Sequence, residues 1–246
     1  MGIILYIPPV PRRFAPAAVL LALVAMLGSL FAQEESATDP VARSDGGPWM
    51  QVHEEHLRRL APGIAELIFV GDSITQGWEG GGREVWDRYY APRRAVNLGI
   101  GGDRTQHVLW RLEHGALRGI SPKVAVVMIG TNNITANPPE EVADGISAIV
   151  RTIRAKLPRT KVLLLGIFPR KNPGGARERI AAINDRIKAL GDDKAVNYLD
   201  ISKTFLEADG TISREIMPDY LHLSPKGYRL WAEAMEPKLW EMMVGK

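Results

Sequence analysis

Apolar and polar positions follow one another in blocks along this chain, and the blocks predict strands and helices in alternation. Short runs rich in β-branched and aromatic residues predict strands, and the longer amphipathic stretches between them predict helices. The run KVAVVMI at 123–129 is apolar throughout, as expected of a central parallel strand covered by helices on both faces. The predicted strands are 68–70, 94–98, 123–129, 161–168 and 195–201, and the predicted helices are 49–60, 84–90, 105–118, 138–157, 176–190 and 225–243.

This alternation predicts an α/β fold: a single flavodoxin-like domain of three layers, in which helices cover both faces of one parallel sheet. Five strands favour the order 2-1-3-4-5. The carboxyl ends of the strands then share one edge of the sheet, which is where such folds bind their ligands. No internal repeat, long linker or charge block divides the sequence, so residues 49–246 are predicted to form one domain.

The beginning of the chain has a different pattern. Arg12 and Arg13 precede an uncharged stretch, 14–33, that is rich in Ala, Leu and Val. A basic start, an apolar middle and a small residue before a polar segment are typical of a secretory signal peptide. Residues 1–32 are therefore predicted to be cleaved after Ala32 and the protein to be exported, to the periplasm or by secretion. An uncleaved membrane anchor is the alternative, since about 18 apolar residues can span a bilayer; after cleavage no stable membrane span is expected.

Two polar segments follow. Residues 33–48 contain Ser, Thr, Asp, Gly and Pro with few apolar positions, and they predict a flexible leader. The helix predicted at 49–60 carries His53 and His56, which are three apart. In the His-Glu-x-x-His motif of zinc proteases the histidines are four apart, so a solvated helix face is the interpretation for this pair, and no metal site is predicted.

Charge and cysteine content exclude several classes of function. The chain has 31 basic and 28 acidic residues, a formal net charge of +3, and this balance gives no electrostatic footprint for nucleic acid. It contains no cysteine, which excludes disulfides, thiol catalysis and a lipid anchor on an N-terminal cysteine.

Candidate chemistry starts at the end of the first predicted strand, where Gly-Asp-Ser places Ser73 at the carboxyl edge of the sheet. Taken alone, a serine or aspartate there is an ordinary helix N-cap. Three more polar stretches follow later strands or lie in the C-terminal loop: 97–103 (NLGIGGD), 130–133 (GTNN) and 219–222 (DYLH). Together they offer what ester hydrolysis needs, which is a nucleophile, a base, and donors for the developing oxyanion.

The roles follow from the residue types. Ser73 is the predicted nucleophile, His222 the base that takes its proton, and Asp219 the carboxylate that orients the imidazole. The predicted oxyanion hole consists of the backbone amides of Ser73 and Gly102 and the side-chain amide of Asn132. This mechanism requires no metal and no cofactor.

These residues, in this order, resemble the SGNH hydrolases, also called GDSL esterases and lipases. Ser73, Gly102, Asn132 and His222 fall on the four name-giving positions, and Asp219 stands three residues before the histidine. Residues 97–113, 126–133 and 219–224 are more closely similar to one branch, the catalytic subunits of intracellular platelet-activating factor acetylhydrolase, and the likeness extends over about 49–228. The resemblance implies the flavodoxin-like fold and a serine esterase with an acyl-enzyme intermediate and a small, acetyl ester as substrate; it also implies a homodimer.

Other functions remain open from the sequence. The predicted export favours a carbohydrate O-acetylesterase that acts on acetylated sugars or polysaccharides, and the loops at 78–82 and 170–175 are expected to decide the alcohol. A non-catalytic binding module with the same fold is a second alternative, although no member of the triad is missing. A structural protein of the cell envelope is disfavoured, because the chain has neither repeats nor low-complexity segments.

Overall fold

The computed structural model of the protein describes residues 2, 35–171 and 173–245. One sheet of parallel strands forms the centre, in the order β2-β1-β3-β4-β5, as the sequence predicted. Gly71 pairs with Gly99 on one side and with Met128 on the other, so the carboxyl ends of β2, β1 and β3 are level. The strands are β1 (Leu67–Gly71), β2 (Ala95–Gly99), β3 (Val124–Met128), β4 (Lys161–Leu165) and β5 (Val196–Leu199).

Each predicted helix has a counterpart in the described residues, in the same order, and one short α-helix at Ser73–Gln76 is additional. Short 3-10 helices occur at Gly77–Glu79, Ala91–Arg93, Pro173–Gly175 and Ser202–Phe205. The α-helices are α1 (Gly47–Leu60), α2 (Ser73–Gln76), α3 (Arg83–Tyr89), α4 (Thr105–Arg111), α5 (Pro139–Lys156), α6 (Ala176–Lys188) and α7 (Pro225–Val244). The helix predicted at 105–118 ends as an α-helix at Arg111, and a wide π-type turn follows at Leu112–Ala116. Gly115 in this turn has a φ of 108°, outside the helical region, so the helix stops before its predicted end.

Side chains of alternate strand residues enter two cores, one on each face of the sheet. Ile68 and Val70 of β1 lie with apolar residues of α4, α5 and α6, and all of these side chains are buried. Leu67 and Phe69 point to the opposite face and pack against α3 and α7, where Trp78 and Trp231 fill the space. Because both faces are covered, β1 and β3 are buried along their whole length.

The segment predicted as a flexible leader lies against the domain, and the compact unit begins at Glu35 rather than at Trp49. Ala37 is fully buried; its N–H donates to the Glu141 carboxylate at 2.9 Å, and its carbonyl accepts from the Thr105 hydroxyl at 2.7 Å. Val41 N–H donates to the carbonyl of Gln106 at 3.2 Å. The prediction of flexibility is therefore wrong for this segment, since buried backbone groups here have partners on α4 and α5. Residues 35–46 are called the strap below.

The prediction of a solvated face for the two histidines of α1 is also wrong. His53 and His56 are 2% and 3% exposed, and with Trp49 and Leu60 they form the buried stripe of the helix. Positions 49, 53, 56 and 60 follow the helical repeat, which outweighs the polarity of the imidazoles. His53 stacks on Trp49, and burial lowers the pKa of His56 to about 3, so this imidazole is neutral at physiological pH.

The predicted signal peptide at 1–32 lies outside the described residues, apart from Gly2, and stays a prediction. Among the helices of the described part of the chain, none combines the length and the apolar content needed to cross a membrane.

Candidate active site

Ser73 is the first residue of α2, and one residue, Asp72, separates it from the end of β1. The Asp72 side chain caps this short helix, since its Oδ1 accepts from Ile74 N–H at 3.0 Å. At Gly71 a Cβ would lie 2.1 Å from the Thr75 hydroxyl and 2.4 Å from the Met128 carbonyl, so only glycine permits a turn this tight. The sequence thereby places the serine at the carboxyl edge of the central strand.

Ser73 and His222 are in hydrogen-bond contact although 149 positions separate them. Ser73 Oγ lies 2.8 Å from His222 Nε2, and His222 Nδ1 lies 2.7 Å from Asp219 Oδ2. An ionised carboxylate only accepts, so Nδ1 carries the proton and Nε2 is left to accept from the serine hydroxyl. The structure thus brings the three predicted triad residues together in one hydrogen-bonded chain.

Asp219 also shapes the loop that presents the histidine. Its second oxygen, Oδ1, accepts from the backbone N–H of His222 at 2.7 Å and of Leu221 at 3.0 Å. Partial burial pushes the pKa of Asp219 upward, but the hydrogen bonds from His222 and Leu221 outweigh it, and the pKa falls to about 2. The carboxylate is therefore ionised at physiological pH, in contact with an imidazole that is 45% exposed to solvent.

The loop after β2 brings Gly101, the residue before Gly102, beside the serine. At Gly101 a Cβ would lie 3.7 Å from Ser73 Cβ, and Gly101 N–H donates to the Gln76 side chain at 2.9 Å. Gly102 has a φ of 79°, in the left-handed region that favours glycine. The backbone of this loop can thus approach a substrate carbonyl held at Ser73.

Asn132 reaches the same edge of the sheet from the turn after β3. Its Nδ2 donates to the main-chain carbonyl of Asp103 at 2.9 Å, which ties the amide to the Gly102 loop. The structure thus brings the loop carrying Gly102 and the amide of Asn132 to the carboxyl edge where Ser73 lies, and their roles as oxyanion donors stay predictions.

Sequence reasoning missed a buried ion pair beneath this loop. Arg111 Nε donates to Asp103 Oδ2 at 2.9 Å, and both residues have no solvent exposure. Arg111 also donates to the carbonyl of Leu98 at 2.8 Å, while Trp49 Nε1–H donates to the other carboxylate oxygen at 2.7 Å. The position of Asp103 directly after two glycines was the one sequence signal that could have indicated this pair.

Asp72 is a second buried carboxyl near the serine, for which the sequence indicated only the role of a helix N-cap. It is fully buried, and its Oδ2 has no hydrogen-bond partner in the described part of the chain. Desolvation, together with the nearby Asp103 carboxylate, raises the pKa of Asp72 to about 7.

Arg43 brings the strap to the edge of the site. Its Nη1 donates to the carbonyl of Gly101 at 2.6 Å, and its Nη2 donates to Asp45 at 2.6 Å. A polar cavity of about 360 Å³ opens here, and its lining residues are Glu35, Arg43, Ser44, Asp45, Gly102, Arg104 and His107. The strap therefore forms one wall of the space in front of Gly102.

A parallel α/β sheet that carries a serine, a histidine and an aspartate in one hydrogen-bonded chain at its carboxyl edge defines a serine hydrolase. The sequence model of the GDSL-like Lipase/Acylhydrolase family matches residues 69–230. The chain belongs to this family, and it is a serine ester hydrolase.

Curated relatives match over most of the chain. It is 38% identical over 217 residues to platelet-activating factor acetylhydrolase IB subunit alpha1 of Homo sapiens, and the match covers 86% of this chain and 93% of the relative. It is 42% identical over 182 residues to subunit alpha2 of Mus musculus, covering 73% of this chain and 78% of the relative.

Solved structures share the fold. A GDSL-like lipase from Bacteroides thetaiotaomicron superposes with a TM-score of 0.65 at 17% identity, covering 77% of this chain and 97% of the other. An acetyl-xylooligosaccharide esterase from Geobacillus Stearmophilus gives a TM-score of 0.58 at 17% identity, covering 75% and 97%. At such identities the likeness concerns the fold alone.

The relatives contradict the prediction of export. The proteins that match 86% of this chain are subunits of the intracellular acetylhydrolase whose resemblance is described above. The expectation of a periplasmic or secreted protein rested on the composition of 1–32 alone, and it is wrong. The preference for a carbohydrate substrate that was drawn from export loses its basis with it.

Proposed function

We propose that the protein hydrolyses small carboxylic esters, acetyl esters above all, through an acyl-enzyme intermediate on Ser73. The observation that carries the proposal is the chain of two short hydrogen bonds from Ser73 through His222 to Asp219. It gives the hydroxyl a base within reach and the base an anionic partner, which is what activates a serine at neutral pH.

In the first half of the reaction, Ser73 Oγ attacks the ester carbonyl while its proton passes to His222 Nε2. The carbonyl oxygen takes up the electron pair and becomes the oxyanion. When the tetrahedral intermediate collapses, the bond to the alcohol oxygen breaks and His222 gives the proton to this leaving group, so the acyl group remains on Ser73. Water then repeats the sequence, with His222 as base, and releases the acid and the free serine.

Asp219 stabilises the imidazolium that forms in each half. Since the pKa of Asp219 is about 2, its charge is present throughout the physiological range, and both of its oxygens are engaged by the His222 segment. The carboxylate therefore holds the imidazole in the tautomer that leaves Nε2 open for the serine proton.

Three groups are proposed to stabilise the oxyanion: the backbone amides of Ser73 and Gly102 and the side-chain amide of Asn132. Amide donors fixed in advance at the site of the developing charge need no reorganisation during the reaction, which is the reason for their large contribution. The hydrogen bonds from Gly101 to Gln76 and from Asn132 to Asp103 support such fixed orientations.

The names of the curated relatives support the acetyl preference, since they are subunits of platelet-activating factor acetylhydrolase IB. The homodimer expected from the resemblance stays a proposal on the same basis. Sedimentation of the purified protein tests the dimer directly.

The activity is tested with the purified full chain and p-nitrophenyl esters of increasing acyl length. We expect fast release from the acetate, a steep fall with acyl length, loss of release in Ser73→Ala, and full activity in the control Ser121→Ala, an exposed serine. Mass spectrometry after reaction with a sulfonyl fluoride is expected to find the label on the Ser73 peptide. Acetylated phospholipids and acetylated xylan then compare the two alcohol classes.

Absence of release from every ester, with Ser73→Ala equally folded and equally inert, would refute the proposal in favour of the binding module. Equal rates for acetyl and octanoyl esters would refute the acetyl preference while leaving the serine mechanism in place.

A further inference from the structure

The strap brings the guanidinium of Arg43 to the edge of the active site. Arg43 Nη1 donates to the carbonyl of Gly101 at 2.6 Å, a charge-assisted hydrogen bond between a guanidinium and a main-chain oxygen. The Arg43 side chain is 24% exposed, so the contact is partly shielded from water. A Cβ at Gly102 would lie 3.0 Å from the same Nη1, which places the guanidinium directly against the loop.

The carbonyl of Gly101 and the N–H of Gly102 belong to one peptide unit. This unit is planar and trans, so its C=O and N–H point in opposite directions and rotate together. A donor fixed on the carbonyl therefore fixes the direction of the Gly102 N–H as well. A positive charge at the carbonyl end also polarises the unit and makes the N–H a stronger donor.

Two further contacts hold this arrangement in place. Asp45 accepts from the Nη2 of Arg43 at 2.6 Å, so the guanidinium is bridged between the strap and the loop. The preceding amide, Gly101 N–H, is held by the Gln76 side chain at 2.9 Å. The loop of Gly101 and Gly102, called the glycine loop below, is therefore held both by α2 and by the strap.

We propose that Arg43 is a positioning residue for ester hydrolysis, which orients and polarises the Gly102 amide through the carbonyl of Gly101. The proposal rests on the proposed function, in which Gly102 N–H binds the oxyanion. It also gives the strap a role in catalysis, because its backbone hydrogen bonds at Ala37 and Val41 hold the guanidinium in position beside the loop.

The test compares Arg43→Met, which keeps the apolar stem and removes the donor, with Arg43→Lys, which restores a charged donor. Arg58→Met is the matched control, because Arg58 forms an exposed ion pair with Glu55 on α1. Complete loss of an oxyanion donor lowers kcat by about 10² to 10³; for a donor that is only misdirected and less polarised we expect about tenfold in Arg43→Met. KM should stay within about twofold, with much of the rate recovered in Arg43→Lys and no change in the control.

A spectroscopic measurement makes the test independent of turnover. In Arg43→Met the Gly102 amide proton is expected to shift upfield in an NMR spectrum, because the peptide unit is less polarised, and Arg58→Met should leave it unchanged. A kcat within twofold of wild type, or an unchanged Gly102 resonance, overturns the proposal. If Arg43→Met lowers the melting temperature together with kcat, and Arg43→Lys restores neither, the role of Arg43 is structural and the proposal is overturned.

Failure of the proposed function is a separate result. If the wild-type protein and Ser73→Ala are equally inactive on every ester, the hydrolase mechanism fails, while the Gly102 resonance still decides whether Arg43 polarises the peptide.

Discussion

The side-chain amide of Asn132 donates a hydrogen bond of 2.9 Å to the main-chain carbonyl of Asp103. An amide nitrogen carries two hydrogens, so one can fix the orientation of the group while the other meets the oxyanion. We expect Asn132→Ala to lower kcat by about 10² to 10³, with KM changed little, because the donor acts mainly in the transition state. Steady-state kinetics on p-nitrophenyl acetate measures this loss.

Asn132→Asp is the control for shape, since it keeps the volume of the side chain and removes the donor. It should lose at least as much activity as the alanine variant, because its carboxylate also repels the oxyanion, and circular dichroism should show both to be folded. Turnover within a few fold of wild type in either variant would remove Asn132 from the mechanism.

Asp219 and His222 form the second functional pair, and their separation of three residues allows one loop to supply both. We expect Asp219→Asn to lower kcat by about 10³ to 10⁴ at neutral pH, because an amide lets the imidazole adopt the wrong tautomer. Because the pKa of Asp219 is about 2, the wild-type carboxylate stays ionised down to mildly acidic pH, and its protonation does not limit the rate there. Measuring kcat/KM against pH for both proteins checks this; an Asp219→Asn enzyme within tenfold of wild type would contradict the assigned role.

The sequence could select the site residues because each follows a strand or lies in the loop before the last helix. Parallel strands end at one edge, so Ser73, Gly102 and Asn132 had to lie near one another once the strand order was predicted. The apolar runs were long and regular enough to place the sheet. What the fold supplies beyond the pattern is the return of His222 across 149 positions to within 2.8 Å of the serine.

The strap could not be predicted in the same way. Its composition is that of a loop, and its order comes from tertiary contacts, above all at Gly145, where a Cβ would lie 2.4 Å from the Ala37 carbonyl. The partners of Arg43 and Trp49 in the glycine loop are more than fifty positions away, and no local pattern indicates them. The helical spacing of His53 and His56 predicted their burial, whereas the polarity of the imidazoles favoured an exposed face.

The ion pair between Asp103 and Arg111 leads to a stability prediction. Both side chains are buried, so Arg111→Met removes the hydrogen-bonded cation from the Asp103 carboxylate and leaves only Arg43, 4.0 Å from its other oxygen. We expect the free energy of unfolding to fall by about 3 kcal/mol. Urea denaturation followed by fluorescence measures it. The double variant Arg111→Met with Asp103→Asn removes both charges. Its loss in the free energy of unfolding should be smaller than the sum of the losses in the two single variants. A single-variant loss below about 1 kcal/mol would contradict the importance of the pair.

Asp72 predicts an unusual dependence of stability on pH. Burial raises the pKa of Asp72 to about 7, whereas the same carboxyl in the unfolded chain has a pKa of about 4. Between these values the folded protein binds more protons than the unfolded chain, so the contribution of Asp72 to stability falls as the pH rises through this window. The loss amounts to up to about 4 kcal/mol and is complete above about pH 7.

Asp72→Asn has no titrating group at this position, so its stability should not show the loss that Asp72 causes as the pH rises. We expect the free energy of unfolding of the variant, relative to that of wild type, to be about 2 to 3 kcal/mol higher at about pH 8 than at about pH 5, whatever constant cost the amide adds. Urea denaturation at the two pH values measures the difference, with Asp87→Asn as the control, since Asp87 forms an exposed ion pair with Arg83. A difference between Asp72→Asn and wild type that is the same at both pH values would show that Asp72 is already ionised in the folded protein at about pH 5, and the burial argument would then fail.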